Sequence, residues 1–118
     1  MRPAELDLDI YQGSTFRKKF QYKTGDPAVA VDITGCTLRM QIREKITSAT
    51  PFITLTTENS GITIDDPVEG TFTLFISATD TAAIVLLKGV YDLELVYPNE
   101  DVSKLLFGAV TVIKEVTR

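Results

Sequence analysis

The sequence predicts an all-β protein: an antiparallel β-sandwich of about eight strands, with one short helical turn near residues 78–87. Three observations carry this. Apolar residues recur at every second position through most of the 118-residue chain. Turn residues separate these runs at roughly 8–12-residue intervals, the spacing expected of sandwiches and barrels. Thr is about one residue in seven, with Val and Ile also common, and β-branched side chains suit a half-buried pleated surface. The length fits one domain, residues 1–118.

The elements follow in order. Leu6, Leu8 and Ile10 alternate with Asp7 and Asp9. Phe16, Lys18, Phe20 and Tyr22 share one face of the next run, with Arg17, Lys19 and Gln21 opposite. Leu38, Met40 and Ile42 alternate with Arg39, Gln41 and Arg43, the cleanest core-against-water pattern in the chain. Shorter runs hold Ile53 with Leu55, and Ile62 with Ile64. Phe72, Leu74 and Ile76 come next, then Tyr91, Leu93, Leu95 and Tyr97. The final run, Leu105 to Val116, is apolar on both sides around Gly108. Such a strand is expected to be central or to be covered by another chain. Gly13, Gly25-Asp26-Pro27, Thr34-Gly35, Asn59-Ser60-Gly61, Asp65-Asp66-Pro67 and Pro98-Asn99-Glu100-Asp101 provide the turns.

Residues 77–89 break the period of two. Ser77 or Thr79 can cap a helical turn, Asp80 sits in its first turn, and Lys88-Gly89 suits its end. A short connector followed by a strand with an early Tyr, here Tyr91, suggests the tyrosine corner of immunoglobulin-like sandwiches. A plain core aromatic is the other reading of Tyr91.

Composition excludes several function classes. There are 0 His, so the commonest general base and metal ligand are missing. The 1 Cys rules out an intrachain disulfide and any multi-Cys zinc site. Cys36 falls in phase with Leu38, Met40 and Ile42 and reads as a small buried filler. The formal charge of −4 gives no support to bulk capture of nucleic acid or anionic membrane. No apolar run reaches the ~20 residues that span a bilayer. Met1 to Asp7 has no apolar signal-peptide core, so cytoplasmic synthesis is expected.

Candidate chemistry is thin. Asp7/Asp9, Asp65/Asp66, Asp92/Glu94 and Glu100/Asp101 are paired carboxylates. They read as solvated strand faces and loops before acid–base pairs, although Asp65 and Asp66 leave a carboxylate-only hydrolase as a formal route. Asn99, Glu100 and Asp101 offer hard oxygens in one loop, a weak calcium signal without EF-hand spacing. No phosphate-binding glycine motif occurs. No enzyme activity, cofactor or metal is expected. Arg17, Lys18, Lys19 and Lys23 form one basic cluster, and Arg39, Arg43 and Lys45 another. The aromatics that would stack bases lie opposite Arg17 and Lys19, so a solvated face or a subunit interface is the expectation.

Four blocks resemble a known family. They are Asp9-Ile10-Tyr11-Gln12-Gly13-Ser14-Thr15-Phe16, the stretch Val31-Asp32-Ile33-Thr34-Gly35-Cys36-Thr37-Leu38-Arg39-Met40-Gln41-Ile42-Arg43, then Gly89-Val90-Tyr91-Asp92-Leu93-Glu94-Leu95, and Leu106-Phe107-Gly108-Ala109-Val110-Thr111-Val112. In this order they resemble the virion β-sandwich proteins of phages and prophages. The nearest named group is the N-terminal domain of the baseplate upper protein family of tailed phages. The resemblance implies an immunoglobulin-like sandwich with a structural role in a tail or baseplate. It implies location in the virion, homo-oligomeric assembly into rings or trimers, and contact with other tail or baseplate proteins. Arg39, Arg43, Tyr97 and Phe107 are the interface candidates. The alternative is a carbohydrate-binding or general immunoglobulin-like interaction module, with Tyr11 and Tyr97 as the sugar platform.

Overall fold

In the computed structural model, which describes residues 3–117, alternation becomes two sheets with a shared interior. The strands are β1 (Ala4–Glu5), β2 (Leu8–Tyr11), β3 (Phe16–Gln21), β4 (Lys23–Thr24), β5 (Val29–Ala30), β6 (Thr37–Arg43), β7 (Ile53–Thr56), β8 (Ile62–Asp66), β9 (Thr71–Ile76), β10 (Lys88–Val96) and β11 (Val102–Ile113). One helix, α1 (Ala78–Ala82), joins β9 to β10. Eight strands have four residues or more, in line with the expected number; β1, β4 and β5 are two-residue pieces.

The larger sheet runs β1-β11-β10-β6-β7, with β2 also on β11. The smaller runs β3-β9-β8, and β4-β5 is a separate ribbon around Gly25-Asp26-Pro27. In immunoglobulin terms β3, β9 and β8 stand as strands B, E and D, and β6, β10 and β11 as C, F and G. The expected fold class therefore holds. Leu38, Met40 and Ile42 of β6 and Tyr91, Leu93 and Leu95 of β10 line the inner face of the larger sheet. Ile62, Phe72, Leu74 and Ile76 meet them from the smaller one. Cys36 is buried in phase with β6, and burial pushes its thiol pKa up.

Two expectations need correction. The sandwich is not wholly antiparallel, because β1 and β2 run parallel to β11. Parallel neighbours need a long connection, and here the body of the domain supplies it. The helix ends at Ala82, well short of residue 87. Ser77 Oγ caps it by accepting from the Asp80 N–H, 3.1 Å. Beyond Ala83 the backbone finds other partners: Gln12 Nε2 donates to the Ile84 carbonyl, and the Val112 N–H to that of Leu87. Ile84 itself enters the core.

Of the two readings of Tyr91, the core aromatic is the one that holds. A tyrosine corner bonds the backbone a few residues upstream. The Tyr91 hydroxyl instead donates to the Leu6 carbonyl, 85 residues away. It thus fastens the first strand to the sheet where β1 gives way to β2. Asp7 Oδ1 accepts the Ala109 N–H at 3.0 Å in the same gap, so the ladder is completed by a side chain. Burial, and then the Asp7 charge, push the Tyr91 phenol up to about 12 from its ordinary 10.0. The unfolded phenol ionises near 10, while the folded one keeps its proton. Stability from this group is therefore whole below pH 10 and falls by about 1.4 kcal/mol per pH unit until about 12. Urea midpoints measured from pH 9 to 12 should fall more steeply for the wild type than for Tyr91→Phe. The variant should also be weaker by about 1 kcal/mol at neutral pH, where the orphaned carbonyl remains.

The final strand is central, between β10 on one side and β1 and β2 on the other. Its missing alternation comes from a bulge. Leu93 pairs with Leu106 while Glu94 pairs with Lys104, which leaves Leu105 as the extra residue. Inward positions then shift from Leu105 to Val110 and Val112.

Candidate functional site

The outward residues of the larger sheet form the candidate site. β6 contributes Arg39, Gln41 and Arg43, β10 contributes Val90, Asp92 and Glu94, and β11 contributes Lys104, Phe107 and Ala109. Glu5 and Asp7 stand at its β1 margin, and Ile46 from the β6–β7 loop at the other. Most of these residues line a shallow groove of about 770 Å³. The period of two puts them here, since their sequence neighbours occupy the core.

Register sets the electrostatics. Glu94 lies across from Arg39 and from Lys104. Arg39 Nε donates to Glu94 Oε1 at 2.8 Å, and Lys104 Nζ reaches Asp92 Oδ2 at 2.9 Å and Glu94 Oε2 at 4.0 Å. The hydrogen bond to Asp92, followed by the charges of Asp92 and Glu94, holds the Lys104 ammonium above its ordinary pKa. Exposed pairs of this kind contribute about 0.2–1 kcal/mol each. Their main effect is to neutralise the middle of the face. Arg43 differs. Its Nη1 donates to the Ser48 carbonyl and its Nη2 to Gln41 Oε1, both at 2.8 Å. Among the described residues no carboxylate forms an ion pair with Arg43, and no cation pairs with Glu5 or Asp7. The face keeps unpaired acid at its β1 margin and an unpaired arginine on β6, one strand in from the β7 edge.

Three of the four interface candidates, Arg39, Arg43 and Phe107, come together on this face. Phe107 is 39% exposed although it lies on a central strand. Tyr97 does not join them. It follows β10 in phase with Leu95 and packs half-buried against the core. Burial and the neighbouring Tyr97 raise the pKa of Tyr22 there. The proposed sugar platform is also divided. Tyr11 lies beside Ile113 at one end of β11, and Tyr97 bonds Asp101 before its other end. Twelve residues of strand separate those ends, roughly 35 Å.

The other candidates are engaged locally. Asp65 accepts from Thr73 Oγ1 at 2.7 Å, and Asp66 accepts from the Glu69 N–H within its own turn. Asn99 and Asp101 bond each other across a turn in which Glu100 has φ +74°. Among the described residues no group of three or more Cys, Asp or Glu is placed to hold a metal. Lys18, expected on the inner face with Phe16 and Phe20, is exposed. β3 is an edge strand, and an inward-phased charge protects such an edge. Arg17 lies over the Phe75 ring, 5.1 Å from its centroid.

Sequence reasoning missed Thr81. It is fully buried, its hydroxyl accepts the Gly13 N–H at 3.0 Å and donates to the Ser14 carbonyl at 2.8 Å, and it ties α1 to the β2–β3 turn. Nothing local in the sequence separates it from the chain's many surface threonines. Together these features define an all-β sandwich protein whose candidate site is a sheet face. No protein-family model matches the chain, and no curated protein matches it.

Proposed function

We propose that this chain is a non-enzymatic assembly module of a phage or prophage virion. It acts in a tail or baseplate by binding other virion components or further copies of itself. The observation that supports this is the composition of the outer sheet face. A half-exposed Phe107, the exposed aliphatic Ile46 and two arginines stand on or beside strands held on both sides by neighbours. Aromatic residues and Arg are enriched in protein interfaces, and a rigid sheet displays them at little entropic cost. The cations and carboxylates in the middle of this face are spent on one another. The four sequence blocks that resemble virion sandwich proteins add the setting, with synthesis in the host cytoplasm and residence in the particle. The divided Tyr11 and Tyr97 platform gives the carbohydrate reading no comparable support. Quantitative mass spectrometry of particles purified from a strain carrying the gene tests the proposal. The chain should co-purify with tails in a fixed ratio to the other tail proteins. Abundant chain in the lysate and none in the particles would overturn it.

A further inference from the structure

We propose that the outer face of the larger sheet binds a second copy of this chain, face to face, about a two-fold axis running along the strands between β10 and β11. The proposal rests on reading this face as an interface and names its partner. The argument is the order of charge across the sheet. Arg43 pairs with Val90, Val90 with Ala109, and the Ala109 N–H bonds Asp7. One row across the strands therefore reads Asp7, Ala109, Val90, Arg43. A two-fold axis along the strands reverses that row in the opposing copy. Asp7 of each copy then stands over Arg43 of the other, with Ala109 over Val90 between them.

The next row reads Glu5, Phe107, Asp92, Gln41. Its reversal sets Glu5 over Gln41, beside the same Arg43. Such self-complementarity is what an isologous contact requires. Among the described residues, the charges of this face that form no ion pair are Glu5, Asp7 and Arg43, and these act across it. Asp92, Glu94, Arg39 and Lys104 already neutralise one another, so they add no net repulsion at the centre. Val90 and Ala109 supply an apolar contact at the centre, and Phe107 of each copy lies over the other's Asp92, whose charge Lys104 already neutralises. A partner of single charge would satisfy one margin and be repelled by the other, whereas a second copy satisfies both.

Sedimentation equilibrium of the full chain tests this. The wild type should show a dimer of twice 13.0 kDa, weakened by salt. Arg43→Glu and the double variant Glu5→Lys/Asp7→Lys should each weaken dimerisation by roughly tenfold or more, because symmetry doubles every altered contact. An equimolar mixture of the two variants restores opposite charge at both junctions and should recover the wild-type mass. Unchanged circular dichroism and melting would show that the variants fold. A wild type that stays monomeric to about 1 mM, or a mixture that stays as weak as its components, overturns the proposal. Monomeric chain still found in tails would overturn this inference and leave the virion reading. A charge-swappable dimer absent from particles would do the reverse.

Discussion

Phe72→Ala is expected to lower the unfolding free energy by about 3–5 kcal/mol, the range for a fully buried Phe replaced by Ala. Phe72 is 1% exposed and sits on β9, the middle strand of the three-stranded sheet. It pairs with Phe20 on β3 and Ile64 on β8, and its ring stacks on Phe20 with centroids 5.6 Å apart. The sheet sends only Ile62, Phe72, Leu74 and Ile76 fully into the core. A cavity at the largest of them has few neighbours able to close it. Domains of this kind hold about 5–15 kcal/mol in all, so the variant loses a large share of its margin. Urea titration measures this as a fall in midpoint at constant slope. Phe20→Ala, from a half-buried edge position, should cost less. A double-mutant cycle should return a coupling of about 0.5–1.5 kcal/mol for the ring pair. A loss below about 1 kcal/mol for Phe72→Ala would mean that the two sheets do not share the core described.

The parts legible in the sequence are those where one strand carries its own signal. β6, β9 and β10 alternate without interruption, and their inner and outer faces follow from period two alone. β11 carries no such signal because a bulge at Leu105 switches the phase mid-strand, which in sequence looks like a strand apolar on both faces. The helix stops at Ala82, short of residue 87, for a related reason. Residues 84–87 are apolar and follow a good cap, but partners from β11 and the β2–β3 turn take their backbone carbonyls. Tertiary contacts override local propensity there, and no local pattern reveals them.

The candidate site divides in the same way. That Arg39, Arg43 and Phe107 face outward is a matter of parity and could be read. That Asp7 lies in the row of Arg43 depends on the first strand lying parallel to the last, a contact between opposite ends of the chain. That Tyr97 packs half-buried away from Arg39, Arg43 and Phe107 could not be read, because a loop-end aromatic in phase with the core looks the same in sequence whether it turns in or out.

Gly108→Val is expected to release the first strand from the sheet. Gly108 pairs with Tyr91, and its backbone passes under the gap between β1 and β2. A Cβ there would lie 2.2 Å from the Leu6 carbonyl oxygen and 2.8 Å from its carbon. Those are backbone atoms that cannot rotate away, so either β11 distorts or residues 4–11 lift. Lifting is the cheaper course, because β1 and β2 are held on one side only. It exposes Leu8 and Ile10, 2% and 0% exposed in the fold, and breaks the Tyr91 and Asp7 hydrogen bonds. Burial of two such side chains contributes about 3–6 kcal/mol, an upper figure given residual structure in unfolded chains. Hydrogen exchange should show lost protection at residues 8–12 and 110–113, with β6 and β9 still protected. Gly108→Ala should show the same pattern, since the clash arises from the Cβ itself. The strand that lifts carries Glu5 and Asp7, the acidic margin of the proposed dimer face. Gly108→Val should therefore be monomeric by sedimentation even where it remains folded. Were it to dimerise as the wild type does, the acidic margin would play no part in the contact.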